Sequence, residues 1–189
     1  MNWKIDASHT VIEFSVKHMM ITTVRGRFDS FEGTLHVNEE NPQASYVEGS
    51  IDAISINTHD EQRDNHLRSA DFFDAQRFPK ITFRSTRIEP AGDNRFRVYG
   101  DLAIKGTTRE VVFDVAYEGR MKDPWGSERL GFSATTKINR KDYGLTWNVP
   151  LEAGGWLVGD EIKISAEIEA VQEQPQIVPE QAEMEAVPA

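Results

Sequence analysis

Histidines set among acids are the residues of this chain whose types and spacing could do chemistry. His59-Asp60-Glu61 and His66 place two imidazoles and two carboxylates close together. Such a set could hold a metal ion, but the spacing does not bring both histidines onto one tight helical face, and no further ligands follow. Acids in the first turn of a helix, where the dipole favours them, account for the same residues. Ser69 and Asp71 beside His66 supply the side-chain types of a hydrolase triad, without the Gly-x-Ser-x-Gly elbow that would expose the serine. His9 and His18 lie on or next to a strand-like segment, where a hydrogen-bonded or pocket-rim histidine explains them better than a catalytic base. Gly106 and Gly154-Gly155 form no phosphate-binding pattern. The chain has no cysteine, which excludes thiol redox chemistry and thiolate metal sites. No metal, no cofactor and no catalytic residue is expected.

The segments that would position these groups read almost entirely as strand. From Thr10 to His18, Ile12, Phe14, Val16 and His18 share one face, the period of a half-buried strand. Trp3 and Ile5 form a short lead-in. Phe31, Gly33, Leu35 and Val37 alternate likewise. Between Tyr46 and Ile56 the apolar parity changes, which predicts a bulge near Asp52. Thr58 with Glu61 matches a capping box, predicting a short helix to about Arg68. A strand follows from Lys80 to Ile88, then a hairpin in which Phe96 to Ile104 pairs with Val111 to Tyr117 across the turn Lys105-Gly106-Thr107-Thr108. Gly119 to Arg129 reads as a loop. Phe132 to Ile138 and Glu161 to Ala170 are further alternating strands. The long segment between them is irregular but carries Tyr143, Leu145, Trp147 and Trp156, so it should pack on something.

About eight to ten short strands with one helical insertion predict an all-β antiparallel barrel or sandwich. The inward faces are aliphatic and aromatic: Phe14, Val16, Phe83, Val98, Leu102, Ile104, Phe113, Phe132, Ile138 and Ile164. An eight-strand barrel can fill its interior with such side chains or hold one ligand. Residues 1–170 form the folded domain. Residues 171–189 carry four Glu, three Pro and no Lys or Arg, the composition of a disordered acidic tail. The net charge of −10 argues against a nucleic-acid partner. The first residues lack the basic and apolar regions of a signal peptide, and no run is long enough to span a membrane, so a cytoplasmic protein is expected.

Several motifs coincide in order. Trp3-Lys-Ile-Asp-Ala-Ser-His-Thr10 leads to Phe14-Ser-Val-Lys-His-Met-Met20. Arg63-Asp-Asn-His-Leu-Arg-Ser-Ala-Asp-Phe-Phe73 precedes Phe78-Pro-Lys-Ile-Thr-Phe-Arg-Ser85. Gly100-Asp-Leu-Ala-Ile-Lys-Gly-Thr-Thr108, Asn139-Arg-Lys-Asp-Tyr-Gly144 and Val158-Gly-Asp-Glu-Ile-Lys-Ile164 complete the set. From Trp3 to about Ala170 the chain resembles the YceI-like family of bacterial polyisoprenoid-binding proteins. The resemblance implies a lipocalin-like barrel with an elongated hydrophobic pocket, an isoprenoid lipid partner such as a polyprenol, polyprenyl phosphate or isoprenoid quinone, and often a homodimer. It implies binding, transport or storage rather than catalysis. An enzyme acting on a small hydrophobic substrate in the same barrel is the alternative. Candidate pocket walls add Met20, Phe72, Phe73 and Trp147 to the inward set. His18, His66, Arg140 and Asp142 border the apolar segments and are the candidates for a mouth that meets the head group, with Arg140 suited to a diphosphate.

Overall fold

The computed structural model describes residues 1–173, and its elements follow the alternation closely. The strands are β1 (Asn2–Ile5), β2 (Val11–His18), β3 (Thr22–Phe28), β4 (Phe31–His36), β5 (Tyr46–Asp52) and β6 (Ile56–Asn57). The helix α1 (Glu61–Arg68) comes next. Then follow β7 (Lys80–Pro90), β8 (Arg95–Ile104), β9 (Thr107–Lys122), β10 (Glu128–Asn139) and β11 (Val158–Gln172). Every pairing is antiparallel. The order β1-β4-β5-β7-β8-β9-β10-β11 closes on itself because β11 also pairs with β1, giving an eight-stranded barrel. Closure leaves the barrel proper with no free edge.

β11 is long enough to serve two partners along one edge. Its first part pairs with β2, and Ala170 to Gln172 pair with β1. β3 and β6 extend the sheet outward from β2. Where the two partners diverge, the buried Thr10 hydroxyl donates to the Glu169 carbonyl and accepts from the Glu169 N–H, so the seam keeps its bonds. The short lead-in at Trp3 is therefore a closing strand, and Trp3 is fully buried. The run of β11 to Gln172 also carries the ordered domain past residue 170. The remainder of the tail assigned from composition, 174–189, lies outside the described residues.

Other details differ from the sequence pattern for identifiable reasons. The parity change after Asp52 comes from a 3₁₀ turn, Ala53–Ser55, rather than a bulge. The helix is capped by Asp60, whose side chain accepts from the Arg63 N–H at 3.0 Å. Thr58 is drawn elsewhere: its N–H and hydroxyl both donate to the buried Asp64 carboxylate, at 2.9 and 2.5 Å. The stretch read as a loop, 119–129, is mostly hairpin. A bulge at Glu118 re-phases β9, and the strands run on to Lys122 and restart at Glu128. The turn read over Lys105 to Thr108 is shorter: Thr107 and Thr108 already pair in the ladder, and Lys105 and Gly106, both at positive φ, make a two-residue hairpin turn.

Candidate functional site

Inward positions of the barrel strands do not meet in the middle. They line an elongated cavity of about 610 Å³, within the range of small-molecule sites. Neighbouring strands supply the wall in register. Phe132 opposes Ile168, Ala134 opposes Ala166, and Ile138 opposes Ile162, all facing inward. Rings lie flat on the wall where the sheet offers glycine. Phe83 packs over Gly100, where an added Cβ would meet the ring at 2.5 Å, and Phe14 covers Gly26 in the same manner. Glycine thus sets the cavity width at two places, because only a residue without Cβ leaves room for the ring.

One end of the cavity is closed. Leu67, the single apolar residue of α1, reaches it together with Phe72, Phe73, Tyr143 and Leu145. The closure is pinned at several points. Arg68 donates to the carbonyls of Ile54 and Ile56, and Lys105 donates to the carbonyl of Ala70 at 2.9 Å. Phe73 meets Phe28 edge-on at 6.0 Å. Arg140 anchors the adjoining loop from within. It is only 4% exposed and donates to the carbonyls of Leu145 at 2.7 Å, Trp147 at 2.9 Å and Gly159 at 2.9 Å, with longer contacts to Val158 and Asp160. Burial lowers its pKa, and Asp160 opposes that shift.

The other end carries a group of mostly polar lining residues. Asn38, Glu39, Pro42 and Ser45, from the link between β4 and β5, face Arg120 of β9. Arg120 Nη1 donates to Glu39 at 2.9 Å and Nε donates to Glu128 at 2.8 Å, and its guanidinium lies 5.7 Å from the Trp3 ring centroid. The Glu128 hydrogen bond, ahead of Glu39, raises the Arg120 pKa. Beneath this mouth Trp3, Leu130 and Ala170 form a small cluster with Leu35, Val37, Tyr117 and Phe132. Two buried polar atoms, Trp3 Nε1 and Tyr143 Oη, have no partner among the described residues, and burial pushes the Tyr143 hydroxyl up to about 12.

Of the wall residues anticipated from sequence, Phe14, Val16, Phe72, Phe73, Phe83 and Leu102 line the cavity, as do Ile104, Phe113, Phe132, Ile138 and Ile164. Met20 does not: it sits at positive φ in the β2–β3 turn and is 66% exposed. Trp147 lies one layer outside, packed on Phe72 at 5.4 Å and on His66 at 4.6 Å. Of the anticipated mouth residues, Arg140 is among the lining residues and His18, His66 and Asp142 are not. His18 pairs with Val158 at a strand terminus, and Asp142 is exposed. His66 Nε2 is bonded to Asp71 at 2.8 Å, while Ser69 Oγ donates to the His66 backbone carbonyl at 2.6 Å, so the three do not form a triad. Arg140 spends its donors on backbone carbonyls. Sequence reasoning missed Arg120 and Glu39. The signal was the alternation Arg120, Met121, Lys122 within the presumed loop.

Among the described residues, Asp6, His9 and Glu169 have ligand-type atoms within 4.8 Å of one another. A cation already sits there. Arg129 Nη1 contacts Glu169 and lies 2.8 Å from Asp6 Oδ2. No helix among the described residues is long and apolar enough to cross a membrane.

A closed antiparallel barrel around an apolar cavity with one polar mouth is the architecture of a protein that encloses a hydrophobic ligand. The chain belongs to the YceI-like domain family, whose model matches residues 3–170. A UPF0312 protein of Staphylococcus aureus is 39% identical over 169 residues, covering 89% of this chain and 96% of that protein. Burkholderia cenocepacia BcnA has the same fold, with a TM-score of 0.77 at 24% identity over 87% of this chain and 98% of its own. So does a polyisoprenoid binding domain from Saccharophagus degradans, with a TM-score of 0.70 at 14% identity, covering 90% and 98%.

Proposed function

We propose that this protein binds, and so carries or stores, the long apolar chain of an isoprenoid lipid without altering it chemically. The observation that carries this reading is the elongated cavity of about 610 Å³, walled by aliphatic and aromatic side chains along its length. Removing each CH₂-sized unit from water gains about 0.8 kcal/mol, so a tail of ten such units gains about 8 kcal/mol before ordering costs. A wall with few polar groups tolerates different tail lengths. Family membership supports the reading, as does the shared fold of the Saccharophagus polyisoprenoid binding domain. His66 lies outside the lining and Ser69 is bonded to backbone, which favours carriage over catalysis. A homodimer in the cytoplasm completes the proposal. The exposed Met20, Ile21 and Trp156 would offer a second copy an apolar contact.

The test is organic extraction of purified protein followed by mass spectrometry, with reloading by polyprenols and isoprenoid quinones. An isoprenoid lipid is expected to co-purify or to reload at one per barrel. Folded protein that is repeatedly empty and takes up neither class would refute the proposal.

A further inference from the structure

Resting on the lipid-binding reading, we propose that the pocket selects lipids with an uncharged polar head and rejects the same chains ending in phosphate, diphosphate or carboxylate. The charged residues of the lining are Glu13, Glu32, Glu39, Arg120 and Arg140. Glu13 and Glu32 are exposed on the outward-alternating positions of β2 and β4, which leaves Glu39 as the acid at the mouth, and both cations are already engaged. Arg140 is buried at the closed end with three carbonyls within 2.9 Å. Its guanidinium cannot turn to a ligand without unpairing that backbone.

Arg120 stands at the mouth between Glu39 and Glu128. One guanidinium flanked by two carboxylates presents a net negative charge to an arriving head. The next cation along the hairpin, Lys122, stands opposite Glu128 in register. Its Cε lies 3.9 Å from the position a Cβ would take on Gly126, at the hairpin tip. An anionic head that used the remaining Arg120 donor would therefore sit beside both acids. Like charges brought together at a partly desolvated contact are strongly disfavoured. A hydroxyl, carbonyl or amide meets no such penalty. Arg120 Nε and Nη1 are used by Glu128 and Glu39, which leaves Nη2 as a donor for a neutral oxygen.

The experiment measures displacement of Nile red, an uncharged apolar dye, from the full-length protein by geranylgeraniol and by geranylgeranyl phosphate. The two probes share one tail. At low salt the alcohol is expected to act at about tenfold lower concentration or better, and added salt should narrow the gap by screening. In the double variant E39Q/E128Q the gap should close from the phosphate side. A phosphate that competes as well as the alcohol in the wild-type protein would overturn the selectivity while leaving lipid binding intact, as would a gap unaffected by the double variant. Dye displaced by neither lipid would instead defeat the lipid-binding reading, and the selectivity with it.

Discussion

Replacing Arg140 with Met should unfasten the closed end of the barrel. The guanidinium makes three hydrogen bonds of 2.9 Å or less to the carbonyls of Leu145, Trp147 and Gly159, and it is almost wholly buried. Met fills much of the same volume, so the packing loss is small. What remains is three carbonyls that lose a charged donor. At roughly 1–1.5 kcal/mol each, the loss is about 3–5 kcal/mol, partly offset because no guanidinium need be desolvated. For a folded body of this size each kcal/mol moves Tm by about 2–4 °C, so a fall of about 10 °C is expected. Arg140→Lys should recover little, because a compact ammonium cannot span carbonyls contributed by three separate positions. Thermal unfolding followed by circular dichroism gives the Tm, and limited proteolysis should show new cleavage between 145 and 157. An R140M protein that melts within 2 °C of wild type (a margin of roughly 1 kcal/mol or less) but no longer takes up lipid would refute the structural role and make Arg140 a ligand contact.

Three further perturbations test other parts of the architecture. Gly26→Ala puts a methyl group into the space of the Phe14 ring and 2.8 Å from Thr58 Cγ2; the ring must move inward, costing about 1–3 kcal/mol, and Nile red capacity should fall with Tm. His66→Ala removes edge contacts to Phe72 and Trp147 and the bond to Asp71; a loss of about 1 kcal/mol in denaturant titration is expected, with lipid uptake unchanged. Asp6 is held well below the usual carboxylate range, first by the Ser8 hydroxyl, then by His9 and Arg129. A carboxylate lowered on folding contributes stability above its unfolded pKa, 3.8, and loses it as pH falls through the folded value. Asp6→Asn should therefore lower Tm at pH 7, and the difference from wild type should shrink below about pH 4; a difference independent of pH would contradict this assignment.

Much of the barrel was legible because a strand announces its faces locally. On β8, β10 and β11 apolar residues recur at alternate positions, and most of them line the cavity. The helix was legible too, but not its cap. Thr58 and Asp60 both suit that position, and the choice fell to Asp60 because Asp64 and Arg63 occupy the Thr58 hydroxyl. Gly119 to Arg129 read as a loop, since no local pattern foretells a bulge that re-phases β9 and carries Arg120 inward.

By itself the sequence determined that the protein is an antiparallel all-β fold with a short helix, and which side chains turn away from water. Alternation is a property of neighbouring residues, so it survives without knowledge of the partners. Only the tertiary structure decided that Trp3 closes the barrel against Gln172, that the interior is hollow, and which end opens. Those outcomes depend on pairings more than a hundred residues apart. They also depend on whether a charged side chain finds its partners in the backbone or at the mouth. Arg140 and Arg120 look alike in the sequence. Burial among carbonyls makes one a fastening of the closed end, and exposure between two carboxylates leaves the other at the mouth.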